Sequence, residues 1–140
     1  MKLNYARVTV FDSRQDGENP VTCFYLPIGQ TLEPELMLSV AQQHAGFGSE
    51  AVFCTPLGNG TFTLSFLSSG LPVDFCWPSL IGCMSCLFGN TSYGQNLSSA
   101  TVFAGTKGRL TVYRGTNGQD EAFHPVLEAV DLQTHITPEA

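Results

Sequence analysis

Residues 78–88, Pro-Ser-Leu-Ile-Gly-Cys-Met-Ser-Cys-Leu-Phe, contain no charged side chain. A segment of this length suits a helix of about three turns. Pro78 fits its first turn, where a missing amide costs nothing. A helix that is apolar all round must be buried on every side. In a chain of 140 residues, long enough for one domain with a core of its own, a curled sheet or barrel is the natural shell around such a rod. The expected fold class is therefore α+β, with a mostly antiparallel curled sheet around a central buried helix, in a single domain spanning 1–140.

The flanking sequence supplies the strands. Residues 5–11 (Tyr-Ala-Arg-Val-Thr-Val-Phe) and 21–26 (Val-Thr-Cys-Phe-Tyr-Leu) are rich in β-formers, with a polar loop expected over 12–19. A helix should follow, with Thr31 as N-cap, Glu33 and Glu35 in its first turn, and Gly46 as C-cap. Leu36, Val40 and Ala41 would form its apolar stripe, with Met37 beside them. Residues 50–55 and 61–67 read as a hairpin around a turn at 56–60. Residues 100–104 and 109–114 read as a second pair of strands, turning at Thr106-Lys107-Gly108. From about residue 115 the pattern fades. Residues 125–130 read equally as a last strand or a docking tail.

Composition narrows the function. Hydrophobic residues make up 43% and charged residues 13%, which is too apolar for a disordered chain. No apolar run is long enough to span a membrane. The first residues carry no secretory apolar stretch, so the expected location is cytoplasmic. The net charge is −6 with six Lys plus Arg, none of them clustered, so a nucleic-acid partner is not expected. Five cysteines in such a chain read as free thiols. Cys83-Met84-Ser85-Cys86 has C-x-x-C spacing, which reads either as a thiol-redox or metal pair, with Cys76 a further candidate, or as small core residues on the buried helix. No second such pair completes a zinc shell, so no metal and no cofactor are expected. His44, His124 and His135 receive no role.

The order of elements, with particular residues, resembles the N-terminal lobe of the phenazine-biosynthesis (PhzF)/diaminopimelate-epimerase family. Members open with a strand ending in Val-Phe, matched by Val10-Phe11. A Gly-Asn-Pro precedes their second strand; Glu18-Asn19-Pro20 stands here, with Gly17 one place early. Their third strand starts at Ser-Glu, matched by Ser49-Glu50. A Phe-containing strand, a Leu-Pro turn and the central helix are matched over 66–81, and a Phe-x-x-x-x-Gly hairpin by 103–108. The resemblance covers roughly residues 5–114 and implies a diaminopimelate-epimerase-like lobe. It further implies two such lobes with the active site between them. This chain has the length of one lobe, so a homodimer or a separately encoded partner lobe would complete the cleft.

Family members move protons on carbon beside an acid group, using either a glutamate or paired thiols. The resemblance therefore implies Glu50 as general acid/base, its alternative being a solvated acid at a strand start. Moving such a proton needs a base tuned by partial burial. It implies a small carboxylated metabolite held at the helix N-terminus, where free amides and the positive end of the dipole favour an anion. The family's Gly-His-Pro or Cys-Gly-Asn at that entrance is replaced by Phe75-Cys76-Trp77-Pro78-Ser79. Cys76 falls near the epimerase thiol but lacks its Gly-Asn neighbours. Trp77 stands where a small residue belongs, and Pro78 removes an amide. Asn19, Ser68, Ser69, Trp77 and Ser79 complete the expected substrate-binding set. Three functions remain open at this point, the first two being an isomerase or epimerase working across a two-lobe cleft and an inactive binding or interaction module of the same fold. A thiol-redox role is the third.

Overall fold

The computed structural model describes residues 3–12, 17–44 and 50–114. Its strands are β1 (Asn4–Asp12), β2 (Gly17–Tyr25), β3 (Glu50–Gly58), β4 (Thr61–Ser68), β5 (Leu71–Val73), β6 (Ser99–Ala104) and β7 (Arg109–Tyr113). Helix α1 (Pro34–His44) joins β2 to β3, and helix α2 (Trp77–Asn90) follows β5. The tail from residue 115, Gly46 and Ser49 lie outside the described residues.

All seven strands form one sheet in the order β1-β2-β3-β4-β6-β7, with β5 paired to β4. The pairs β2–β3 and β4–β6 are parallel and the other four are antiparallel. Each parallel pair needs a crossover, and α1 and α2 supply them. β4 runs opposite to β2, so two right-handed crossovers moving the same way across the sheet must lie on opposite faces. The packing agrees. Phe24, Ala51, Phe53 and Leu67 form a cluster with Ala41 of α1, whereas Val21, Cys23, Val52, Cys54 and Phe66 pack with α2. Alternate residues of β2 and β3 thus serve two cores, and β3 is buried without a break over 51–56.

The uncharged segment is helical and buried at every position from 78 to 88. Its cluster draws Val10 from β1, Phe62 and Leu64 from β4, Ala100 and Val102 from β6, and Leu110 and Val112 from β7. Each of Leu80, Ile81, Met84, Leu87 and Phe88 withdraws a large apolar side chain from water, worth about 1.5–3 kcal/mol apiece. Gly82 lets α2 approach the sheet, since a Cβ there would lie 3.3 Å from both Val10 Cγ2 and Val21 Cβ. At the far end, Arg114 closes the helix. Its guanidinium donates to the carbonyls of Phe88 (2.8 Å), Gly94 (2.8 Å), Gln95 (2.9 Å) and Leu97 (2.8 Å), and lies over the Phe88 ring. The Phe88 carbonyl is one that the helix cannot satisfy itself, at the negative end of the dipole, while those of Gly94, Gln95 and Leu97 belong to the loop that follows α2.

Several sequence expectations are corrected. The polar loop over 12–19 is shorter, because β1 runs to Asp12 and β2 starts at Gly17 in register with it. Thr31 does not cap α1. Pro34 opens the helix, and the Glu33 carbonyl accepts the Met37 amide, the N-cap role that a proline at the first helical position favours. Leu36 is 49% exposed at the rim of the apolar stripe, while Ala41 is buried and Met37 and Val40 pack on the sheet. The turn expected over 56–60 contracts to Asn59-Gly60, with β3 continuing to Gly58 through a register shift. β5 was not foreseen. Ser69 and Gly70, at φ +52° and +81°, reverse the chain tightly enough to add a short hairpin strand.

Candidate functional site

Glu50 is the first residue of β3 and Ser68 the last of β4, and the ladder sets them opposite each other. Ser68 Oγ donates to Glu50 Oε2 at 2.7 Å. On the other oxygen, Cys76 Sγ lies 3.9 Å from Glu50 Oε1 as a thiol donor. Cys76 is the N-cap of α2, in extended backbone geometry, with no side-chain capping bond. The end of the β3–β4 hairpin and the start of the buried helix therefore meet at one half-buried carboxylate.

Burial, above all, pushes the Cys76 thiol up, and the Glu50 charge adds to the rise. The hydroxyl and amide of Ser79 pull the other way. Cys76 at neutral pH is thus a protonated donor to Glu50 rather than a thiolate nucleophile. Ser79, three residues into the helix, is buried, and its Oγ has no hydrogen-bond partner among the described residues. The Leu80 amide bonds to the Cys76 carbonyl at 3.0 Å and so starts the helical ladder. Pro78 has no amide, which leaves those of Trp77 and Ser79 as the first-turn donors that the ladder cannot use.

Of the residues singled out from sequence, Glu50, Ser68, Cys76 and Ser79 come together. Trp77 is the first residue of α2, half-buried, its ring 4.7 Å from that of Phe75 and edge-on to it. Ser69 is exposed in the β4–β5 turn, one residue past Ser68. Asn19 lies in β2 opposite Val10. The structure adds Asp74 and Thr106, whose side chains bond to each other. No motif in the sequence marks that pair, because the two residues lie 32 positions apart.

The C-x-x-C pair faces the core. Cys83 and Cys86 are buried on α2, with Cys23 and Cys54 buried on the facing strands. Tyr25 Oη donates to the Cys83 carbonyl at 2.8 Å. Burial foremost, and hydrogen bonding with Cys83, push the Cys23 thiol up; for Cys54 the bond with Cys83 comes first and burial second. Both are held as thiols. Among the described residues no group of three or more His, Cys, Asp or Glu could hold a metal ion. Nor is any helix there long and apolar enough to cross a membrane.

No family model and no curated protein matches the sequence. Solved structures do match. A PhzC/PhzF-type phenazine biosynthesis protein from Clostridium difficile superposes with a TM-score of 0.65 at 20% identity, over 83% of this chain and 42% of its own. A PhzF-family phenazine biosynthesis protein from Enterococcus faecalis gives 0.65 at 19% identity, over 82% and 41%. A predicted epimerase from Pseudomonas aeruginosa gives 0.56 at 20% identity, over 79% and 38%. The chain thus spans about two-fifths of the length of each of these three proteins. The β-β-α-β-β-β-α-β-β arrangement that carries the Glu50 site is a PhzF-like fold unit.

Proposed function

We propose that this chain is one lobe of a PhzF-like isomerase or epimerase-related protein that takes a small carboxylated metabolite at the N-terminus of α2. Glu50 is the acid/base that moves a proton on carbon beside the carboxyl group. Ser68 and Cys76 hold its carboxylate from either side. The Ser79 hydroxyl and the unused first-turn amides receive the substrate's carboxylate. A second copy, or a separate partner lobe, supplies the opposite wall of the cleft. In this reading the sheet curls round α2 as a shell, and the protein works in the cytoplasm without a cofactor. The observation that carries it is the meeting of a doubly held carboxylate with a buried, unsatisfied hydroxyl at a helix N-terminus.

A second reading, an inactive binding or interaction module of the same fold, is favoured by Trp77 and Pro78. They put an indole and a missing amide at the entrance where a ligand would enter. The isomerase reading requires an occupied site, and Trp77 is the chain's single tryptophan, so its fluorescence reports directly on that entrance. Titration with small 2-amino and 2-hydroxy carboxylates should give a saturable change that Ser79→Val weakens. No saturable change with any of them would overturn the isomerase reading and leave the interaction module standing. The mass of the ligand-bound protein then separates them, because the enzyme requires a second lobe and a monomer without a partner rejects it.

A further inference from the structure

The 3₁₀ turn Gly105–Lys107, between β6 and β7, grips the segment that leads into α2. The Thr106 amide donates to both oxygens of Asp74 at 3.1 Å, and the Thr106 hydroxyl donates to Oδ2. Gly105, at φ +58°, lies so close that a Cβ would stand 2.2 Å from the Asp74 carbonyl oxygen. A glycine there meets both the backbone angle and the contact. Lys107 Nζ sits 5.5 Å from the centre of the Phe75 ring, within cation–π range. Phe75 is wedged edge-on between Phe66, at 5.3 Å, and Trp77, at 4.7 Å. Cys76 lies between these two anchored neighbours, and it reaches Glu50 at 3.9 Å.

Asp74 is fully exposed and adds nothing to either core. Its carboxyl is held below the ordinary value by the Thr106 hydroxyl first, then by the Thr106 amide, with Lys107 adding to the effect. It is therefore an anion tying down the turn. Its contacts are with Thr106 and Gly105, and it stands two residues before Cys76.

We propose that Asp74 is a positioning residue of the Glu50–Cys76 site, one that clasps the β6–β7 turn against the entry to α2 and so sets where the thiol stands relative to the carboxylate. The inference rests on the reading of Glu50 and Cys76 as the functional site. Its test reads the thiol rather than ligand binding or turnover, so the two can fail separately. The groups facing that thiol are Glu50 from β3 and Ser79 from α2, with Lys107 one residue away against Phe75.

The measurement is the pH profile of Cys76 alkylation by iodoacetamide in the full chain, followed on the Cys76 peptide by mass spectrometry. Cys23, Cys54, Cys83 and Cys86 are buried and serve as internal reporters of unfolding. Releasing the clasp with Asp74→Ala should free the thiol from burial and from Glu50. Its titration then moves down toward that of an ordinary cysteine, and alkylation at a fixed pH below the midpoint speeds up about threefold or more. Thr106→Val should shift it in the same direction. Asp74→Asn, which keeps an acceptor for the Thr106 amide, should shift it less. Wild-type profiles in both Asp74→Ala and Thr106→Val overturn the proposal. If the four buried cysteines of Asp74→Ala also react, that variant has unfolded, and Thr106→Val decides by the same criterion. A failed Trp77 titration would overturn the functional reading while leaving this result in place.

Discussion

Ser68 and Glu50 face each other across the β3–β4 ladder, and the serine hydroxyl donates a 2.7 Å hydrogen bond to one carboxylate oxygen. That length is ordinary for an O–H···O bond. It fixes the plane of the carboxylate while the second oxygen faces Cys76. Ser68→Ala removes this donor and leaves the carboxylate held by Cys76 alone. On the acid/base role proposed for Glu50, the proton-transfer rate should fall about tenfold, because a misplaced reacting group slows the step. Ser68→Thr, which keeps the hydroxyl, should retain most of it. Exchange rates for the two variants under one set of conditions check this.

The close approach of α2 to β1 and β2 can be tested at Gly82. A Cβ at 3.3 Å from Val10 and Val21 can be absorbed by small shifts, but two further methyl groups cannot. Gly82→Val should cost about 1–3 kcal/mol, as overpacking of a filled core does. It should appear as a lower urea midpoint at unchanged slope.

Arg114 is the second structural test. Arg114→Met keeps the apolar stem over Phe88 but withdraws the donors from the carbonyls of Phe88, Gly94, Gln95 and Leu97. The loss should be about 2 kcal/mol, given that bonds to a charged donor are the stronger kind. Urea unfolding of the two proteins measures it.

Asp74 gives the fold a specific acid sensitivity. Because the folded state depresses its pKa, the clasp stabilises the protein above the ordinary value of 3.8. That stabilisation is lost as pH falls through the folded value. The stability difference between the wild type and Asp74→Asn should therefore shrink as the solution is acidified from about pH 5 downward. A difference that stays constant over this range would contradict the assignment.

The sequence made the buried helix legible because eleven residues without a charge leave few alternatives. It also revealed the strands on either side of α1, since alternation and β-branching are local signals. β5 was missed because Leu71-Pro72-Val73, all exposed, carries no burial pattern and depends on a turn with φ > 0 at Ser69. Within the site, Glu50 was reached by resemblance. Its partnership with Cys76 depends on how the β3–β4 hairpin meets α2, a relation between residues 26 positions apart. The Asp74–Thr106 clasp spans 32 positions and joins common surface residue types. Nothing local to either residue signals it.

Glu50 is the residue on which the functional reading turns. The most direct measurement is deuterium uptake from heavy water at the carbon beside the carboxyl group of small 2-amino and 2-hydroxy acids, followed by NMR with the wild type and with Glu50→Gln. A carboxylate acting as acid/base predicts uptake in the wild type at least about 100-fold faster than in the variant. Equal uptake by the two proteins would contradict it.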